Sequence, residues 1–177
     1  MEFQQLVESR RSIREFKEGT VSKEDILTMV ACAQNAPSWK NSQTGRFYAA
    51  TSEEMIRKIS AEGLPEFNAV SSKNAALVVT TFEKTRSGFN REGVADNELG
   101  DEWGAYDLGM SNMLFCLKAK ELGYDTLIMG IRNGEKLREL LEIPASQEVV
   151  AVIAVGKSEQ NPDKPKRKPT EDITKFF

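Results

Sequence analysis

The stretch EWGAYDLGMSNMLFCLKAKELGYDTLIMG, residues 102–130, decides the fold. Its first part is apolar on several faces, which predicts a long buried helix from about residue 101 to residue 122. Gly123 stands where a helix ends, because glycine readily adopts the left-handed conformation of a C-terminal cap. Residues 124–129 then predict a short strand. A helix of this kind is normally buried in a core or in an oligomer interface, and here it leads directly into a strand.

Further elements follow on either side of this stretch. Helices are predicted at residues 2–10, from a cap at Ser22 to before residue 35 with Ile26, Leu27, Met29, Val30 and Ala33 on its apolar face, after a cap at Ser52, and from Asn133 to residue 141. Strands are predicted at residues 46–51, 75–82 and 148–156. The polar, glycine-containing residues 83–98 predict a mobile surface loop. Strands do not alternate regularly with helices, so the order favours an α+β architecture over a doubly wound Rossmann sheet.

Composition limits the function. The chain has 177 residues, a usual length for one domain, and its 24 basic and 27 acidic side chains give a net charge of −3. That balance argues against binding nucleic acid through bulk charge. There is no histidine, which removes the commonest general base and metal ligand. Cys32 and Cys116 lie inside apolar helical patterns and are predicted to be buried thiols.

No N-terminal run resembles a signal peptide, and the apolar residues 149–155 are too few to span a bilayer. A cytoplasmic location without a membrane partner is expected. Residues 1–156 are predicted to form one domain. Residues 157–177 are charged, contain three prolines and have no core of their own, so this tail needs a surface to lie on.

The stretch ESRRSIREF, residues 8–16, concentrates positive charge at the end of the first helix. One interpretation is a solvated helix end, where cations complement the helix dipole. The other is a phosphate clamp, since the guanidinium groups of Arg10, Arg11 and Arg14 can form bidentate bonds to phosphate, and the Ser12 hydroxyl adds a donor. The cluster alone does not decide between them.

The loop APSWKNSQTG, residues 36–45, offers short polar groups on a backbone that proline and glycine hold in turn geometry. Such a loop suits a ligand rich in hydroxyls and ring heteroatoms. It is equally a plain connection between a helix and a strand, in which Trp39 is a core aromatic.

Other candidate sites have simpler explanations. The acidic residues 96–102 precede a helix and are typical N-terminal charges rather than metal ligands, so no metal site is predicted. The segment KPKRKP, residues 164–169, can by itself be interpreted as a nucleic-acid tail.

Five motifs in order resemble those of the nitroreductase family of flavin enzymes. They are RRSIREF (10–16), APSWKNSQ (36–43), the buried strand AALVVTTF (75–82) preceded by an asparagine, LGYDTLIMG (122–130), and VGKSEQNPDKPKRKPTEDI (155–173). The resemblance covers nearly the whole chain. It implies an α+β domain with a mostly antiparallel central sheet flanked by helices, and a homodimer with two FMN molecules at the interface. It also implies that the C-terminal segment, residues 157–177, is exchanged over the partner subunit.

The resemblance also implies a set of FMN contacts. Arg10 is expected at the phosphate end and Arg14 near the pyrimidine edge, with the backbone of Met129 and Gly130 near flavin N5 and no catalytic side chain. The full set of cofactor-binding residues that it implies is Arg10, Arg11, Ser12, Arg14, Pro37, Ser38, Trp39, Asn41, Asn68, Ile128, Met129, Gly130 and Arg167. Residues 37–41 are expected to approach the flavin of the other subunit, and Arg167 to complete the phosphate clamp.

Three features depart from the family pattern. Ser71 stands where relatives often have a lysine, and Lys73 is close but out of register. Thr44 and Gly45 replace a typical proline and tryptophan. The helical insert over the flavin is reduced to about residues 83–103, which predicts a more open substrate pocket.

The activity implied is reduction of nitroaromatics, quinones or a related small electron acceptor by NADH or NADPH, in a ping-pong cycle. FMN chemistry needs no general base from the protein, which agrees with the absence of histidine. A narrower reaction such as enoate reduction or reductive dehalogenation is the alternative within the family. A flavin-storage protein with little turnover is the alternative outside enzymes.

Overall fold

A four-stranded sheet forms the centre of the computed structural model, which describes residues 2–177. Its strands are β1 (Gly45–Ala50), β2 (Ala76–Glu83), β3 (Asp125–Met129) and β4 (Gln147–Gly156), arranged in the order β1-β2-β4-β3. All three pairings are antiparallel. Together with the flanking helices, this confirms the predicted α+β class.

Both faces of the sheet are buried, and β2 shows how. Successive side chains of a strand point to opposite faces. Leu77 and Val79 therefore enter the hydrophobic cluster on one face, and Ala76 and Val78 enter the cluster on the other. All four side chains are buried, which explains why this strand is an unbroken apolar run in the sequence.

Two helices, α2 (Lys23–Ala33) and α5 (Glu102–Glu121), pack together on one face. The start of α5 lies directly on β2, because a Cβ atom at Gly104 would collide with the ring of Phe82. Gly123 follows α5 with φ +85°, the left-handed cap that the sequence predicts. The prediction that Leu27 faces the core is wrong: it is 67% exposed, at the edge of the buried stripe of α2.

The opposite face is covered by α3 (Glu53–Lys58), a π-helical turn at Ile59–Gly63, and α6 (Gly134–Leu140). As predicted, the Ser52 and Asn133 side chains accept hydrogen bonds from the first turns of α3 and α6. The sequence prediction missed α4 (Glu66–Ser71) on this side. Asn68 lies in this short helix.

The N-terminal helix α1 (Phe3–Ser9) leads into a segment that runs beside β3. Ser12 forms a parallel bridge with Thr126, and the N–H of Ile13 donates to the carbonyl of Thr126 at 3.1 Å. The arginine cluster is therefore fixed along the outer edge of β3, although the sequence indicated only that it follows a helix.

The C-terminal tail first returns along the N-terminal segment. The N–H of Lys17 donates to the carbonyl of Lys157, and the Ser158 hydroxyl donates to the carbonyl of Glu15. A further short helix, α7 (Thr170–Ile173), was not predicted. In the part of the chain that the structure describes, no hydrogen bond ties residues 163–177 to the domain.

The two cysteines are not equally buried. Cys116 in α5 is buried as predicted, whereas Cys32, near the end of α2, is only half-buried. Both are free thiols. Across residues 2–177, no helix is long and apolar enough to cross a membrane.

Candidate functional site

The outer edge of β3 carries the first group of predicted site residues. The bridge between Ser12 and Thr126 is parallel, so the chain from Ser12 to Arg14 runs in the same direction as the chain from Thr126 to Ile128. Positive charge therefore follows the edge of β3 towards Gly130. We call residues 10–14, Asn68 and residues 128–131 the strand-edge region.

Arg10 occupies the inner end of this edge and is half-buried. Its Nε atom is buried and has no hydrogen-bond partner among residues 2–177. Its charge acts on the nearby Cys116 thiol, but burial is the larger effect and raises the pKa of Cys116 above its ordinary value. Cys116 is therefore a protonated neighbour of the arginine, not its ionic partner.

Arg11 and Arg14 face the start of the tail. Nε of Arg11 donates to the carbonyl of Pro162 at 3.1 Å, and the N–H of Arg14 donates to Oε1 of Gln160 at 3.1 Å. The Arg14 side chain is exposed, and its guanidinium donates only to the carbonyl of Ser12 among the hydrogen bonds described. Residues 157–162 thus bring the base of the tail beside the arginine cluster.

The far end of the strand-edge region joins α4 to the end of β3. Nδ2 of Asn68 donates to the carbonyl of Ile131 at 2.8 Å. Met129 is 2% exposed and points into the core, whereas Ile128 is 49% and Ile131 66% exposed. Gly130 has open space where a Cβ would lie. At this point the protein presents main chain, two exposed apolar side chains and an amide.

Residues 37–43, which we call the loop region, have an unusual backbone. Lys40, Asn41 and Gln43 all adopt positive φ angles, at 48°, 55° and 48°. Such conformations are strained for residues other than glycine and persist only where surrounding contacts hold them. The Ser38 hydroxyl accepts from the N–H of Gln43 at 3.0 Å, and the N–H of Asn41 donates to the carbonyl of Ser38 at 2.9 Å. Pro37 and Asn41 are exposed.

The segment from residue 84 to residue 103 packs against the loop region. The rings of Trp39 and Trp103 lie 4.6 Å apart between centroids, and Nζ of Lys40 lies 2.5 Å from Oδ2 of Asp96. The N–H of Trp39 also donates to Oδ2 of Asp107 in α5, at 2.9 Å. Residues 83–98 were predicted to be a mobile loop. Glu83 is the last residue of β2, and residues 84–98 contain no helix, yet they are joined to the loop region by side-chain contacts.

The two regions lie apart within one protomer. The loop region contacts α5 at Asp107, and Arg10 lies beside α5 at Cys116. These positions are about 14 Å apart along the helix at 1.5 Å per residue. Among residues 2–177, no hydrogen bond or ion pair joins the loop region to Arg10, Arg11 or Arg14. The structure therefore brings the predicted site residues together as two groups, not one.

Two predicted positions remain outside both groups. Arg167 lies in the exposed tail, and its guanidinium donates to the carbonyl of Pro165 at 3.2 Å. Lys73 follows α4 and lines a separate groove of about 930 Å³ together with Glu18 and Arg57. Ser71, one turn after Asn68, is the last residue of α4.

Sequence reasoning missed Asp107, which is 5% exposed and contacts both the loop region and Ser87. An acidic residue on the mainly apolar buried stripe of a helix was the available signal, because buried carboxylates need donors. The contact of Trp103 with Trp39 was missed for another reason: nothing local links residues so distant in sequence.

The model of the family described as "Nitroreductase family" matches residues 7–157. The chain belongs to the nitroreductase family. This confirms the resemblance identified from the sequence motifs, and the match includes all of the strand-edge region and all of the loop region.

Individual relatives align with most of the length of this nitroreductase family member. A protein of Archaeoglobus fulgidus, provisionally named NADH dehydrogenase/NAD(P)H nitroreductase, is 30% identical over 85% of this chain and 82% of its own. A Bacillus subtilis protein provisionally named NAD(P)H nitroreductase MhqN is 26% identical over 99% of both chains. The crystal structure of a provisionally named nitroreductase from Exiguobacterium sibiricum, in complex with FMN, has a TM-score of 0.82 at 24% identity and covers 100% of this chain and 98% of its own. That structural likeness supports the fold.

Proposed function

We propose that this protein is a homodimeric, FMN-dependent oxidoreductase that uses NADH or NADPH to reduce a nitroaromatic, a quinone or a related small electron acceptor by a ping-pong mechanism. The observation that carries the proposal is the strand-edge region. It places guanidinium groups along β3 and an open main-chain segment with a buried amide at the end of the same strand.

The residues present fit FMN. A buried guanidinium Nε without a partner at Arg10 is a costly arrangement unless a ligand supplies an acceptor, and a phosphate oxygen is a strong one. Arg11 and the exposed Ser12 hydroxyl lie beside it. At the other end, the open space at Gly130 leaves room for a flat ring to approach the backbone.

When bound, FMN supplies the two-electron redox chemistry that the protein side chains lack. The chain's own residues bind and orient it. Arg14 carries an exposed positive charge that favours negative charge at the pyrimidine edge, and Asn68 holds the backbone after β3 in place through Ile131. The side chain of Met129 is in the core, so the group that residue 129 offers to a ligand is its main chain.

The second subunit is proposed to supply the loop region. In one protomer the arginines lie away from Pro37, Ser38, Trp39 and Asn41, which agrees with a site that two copies complete. The tail supports the same arrangement. Residues 157–162 run back along the N-terminal segment as far as Arg11, and the fifteen residues beyond reach about 50 Å when extended.

The apolar side chains near the end of the tail are exposed, which suits contact with a surface outside their own protomer. Ile173, Phe176 and Phe177 are 68%, 94% and 114% exposed, which is a large apolar area for a chain end. We infer that residues 157–177 form an arm over the partner subunit and that Arg167 reaches a flavin phosphate from it.

The test begins with the colour of the purified protein. We expect flavin absorption, release of FMN on denaturation, and anaerobic loss of the colour with NADH or NADPH. Nitrofurazone or benzoquinone should then restore the oxidised spectrum, and double-reciprocal plots at several acceptor concentrations should be parallel. A flavin that NADH and NADPH both leave oxidised would favour storage over catalysis, and a colourless protein that does not take up added FMN would contradict the proposal.

A further inference from the structure

Asp107 is a buried carboxylate that the proposed redox reaction does not use. It is 5% exposed in the first half of α5, whose other buried residues are apolar except for Asn112. In the part of the chain that the structure describes, no lysine or arginine forms an ion pair with it. A buried charge of this kind is costly unless donors satisfy it.

Both recorded donors come from outside α5, and each comes from a different segment. The main-chain N–H of Trp39 donates to Oδ2 at 2.9 Å, and the hydroxyl of Ser87 donates to the same oxygen. Asp107 therefore joins three parts of the chain: the long helix, the loop region and the segment from residue 84 to residue 103. Ser87 is itself buried at 1% exposure, so water does not compete for this bond.

The loop region needs such a connection. Its positive φ angles at Lys40, Asn41 and Gln43 are maintained only if the surrounding contacts outweigh their strain. The Arg46 guanidinium in β1 also donates to the carbonyl of Gln43, at 2.9 Å. The other contacts that reach the loop region from outside constrain its main chain less. The pair between Lys40 and Asp96 is partly exposed, with side-chain exposures of 61% and 28%, and exposed pairs contribute little. The Trp39 and Trp103 rings fix a distance but not the direction of the main chain.

We propose that Asp107 is a positioning residue: by accepting from Trp39 and Ser87 together, it fixes the strained loop region in the conformation that binds FMN in a second copy of the chain. This inference rests on the proposed function, since it assumes that the loop region approaches FMN. The geometric part of the proposal is that Asp107 holds the loop region against residues 84–103. This part depends only on contacts within one protomer.

The two tryptophans of the chain make the geometric part measurable. Trp39 and Trp103 are the only tryptophans in the sequence, and they contact each other. Tryptophan fluorescence, excited where tyrosine does not absorb and measured after the flavin is removed because flavin quenches it, therefore reports on this contact. We expect Asp107→Ala to shift the tryptophan emission of the full chain to longer wavelength, because a loosened loop region exposes both rings to water.

The variants separate positioning from general damage to α5. Asp107→Asn keeps a side-chain oxygen that can accept both bonds, so it should stay close to wild type in emission. Asn112→Ala is the matched control: Asn112 is 6% exposed in the same helix, and its Nδ2 donates to Thr80 in β2, away from the loop region. Ser87→Ala removes one of the two donors and should give a smaller shift than Asp107→Ala.

FMN affinity tests the functional part. Flavin-loaded proteins are diluted in series, and free FMN is followed by its fluorescence. We expect the dissociation constant to rise about tenfold or more for Asp107→Ala, and by less for Asp107→Asn, because a bond to a charged acceptor is lost in the first and a neutral one is kept in the second. Asn112→Ala should leave the constant unchanged even if it lowers the melting temperature equally.

Each outcome has one meaning. Equal emission from Asp107→Ala and Asn112→Ala overturns the proposal, and so does a shifted emission with unchanged FMN affinity. If the wild-type protein binds no FMN, the proposed function fails; the emission of the same variants still decides whether Asp107 holds the loop region.

Discussion

The strand-edge region and the loop region are held in place by different kinds of contact. Residues 10–14 are fixed by main-chain pairing with β3, which belongs to the central sheet. The loop region depends on side chains from elsewhere, chiefly Asp107 and Trp103. The first region therefore persists as long as the sheet does, whereas the second can be disturbed while the fold remains. A site built from both joins a rigid surface to an adjustable one.

The largest effect is expected at the phosphate end of the strand-edge region. Replacing Arg10 and Arg167 together with alanine should strip FMN from the purified protein, because each removes charge-assisted bonds of roughly 1.5 to 3 kcal/mol. Flavin content per chain measures this. Lys23→Ala, which removes an exposed charge at the start of α2, is the control and should keep its flavin. Full flavin occupancy in the double variant would count against the clamp.

Mixing two defective chains tests whether the two regions belong to one site across two copies. Arg10→Ala damages the strand-edge region, and Asn41→Gly removes a loop side chain without adding strain, since glycine tolerates the φ of 55° at that position. Each variant alone should bind FMN weakly at both sites. A mixed dimer, isolated with two different affinity tags, should recover one tight FMN site of its two.

The mixed dimer has a clear opposite outcome. If all binding residues act within one chain, each chain keeps its own defect and mixing restores nothing. Recovery by mixed dimers of two Arg10→Ala chains with different tags would point to an artefact of the tags.

Within the strand-edge region, we expect replacement of Arg14 to affect the reaction more than replacement of Met129, which offers FMN only its main chain. Arg14→Ala removes an exposed cation and should lower the rate of flavin reduction or the flavin potential clearly. Met129→Leu changes only a buried side chain of similar volume and should cost less than about 1.5 kcal/mol of stability, with little change in rate. Stopped-flow reduction by NADH compares them. A larger rate effect at Met129 than at Arg14 would mean that the backbone donor lies elsewhere.

The smallest predicted effect is on the free energy of unfolding at alkaline pH, through a hydrogen bond of Tyr124, the residue before β3. The Tyr124 hydroxyl donates to Oδ2 of Asp25 at 2.8 Å, and this bond, with burial, raises the pKa of Tyr124 above 10.0. A raised pKa in the folded state means that its stabilisation is complete below the unfolded pKa and is lost as the pH rises through the folded one. The free energy of unfolding should therefore fall more steeply above pH 10 for wild type than for Tyr124→Phe. Parallel curves would show that this bond contributes nothing.

The sequence predicted the four strands for physical reasons that are local. Strands such as β2 are continuous apolar runs, and the caps at Ser22, Ser52 and Gly123 mark the ends of helices. The five motifs also identified the family, and the match of the family model to residues 7–157 confirms it. The roles given to the individual site residues remain predictions.

What the sequence did not predict depends on tertiary contacts. The helix α4 has six residues, too few for a periodic pattern, so it was not predicted. Asn68 was expected to bind FMN from the family resemblance alone. The exposure of Leu27 is decided by where the stripe of α2 meets the sheet. The role of Asp107 depends on donors at Trp39 and Ser87, which lie far from it in sequence and are brought together only by the fold.

The central claim is that one FMN site is completed by two copies of this chain. Native mass spectrometry of the purified yellow protein tests it most directly, because it counts chains and cofactors in the same particle. The account predicts a particle of two 19.8 kDa chains with two FMN molecules, and loss of both FMN and the second chain when residues 157–177 are removed. A single chain that holds one FMN would contradict it.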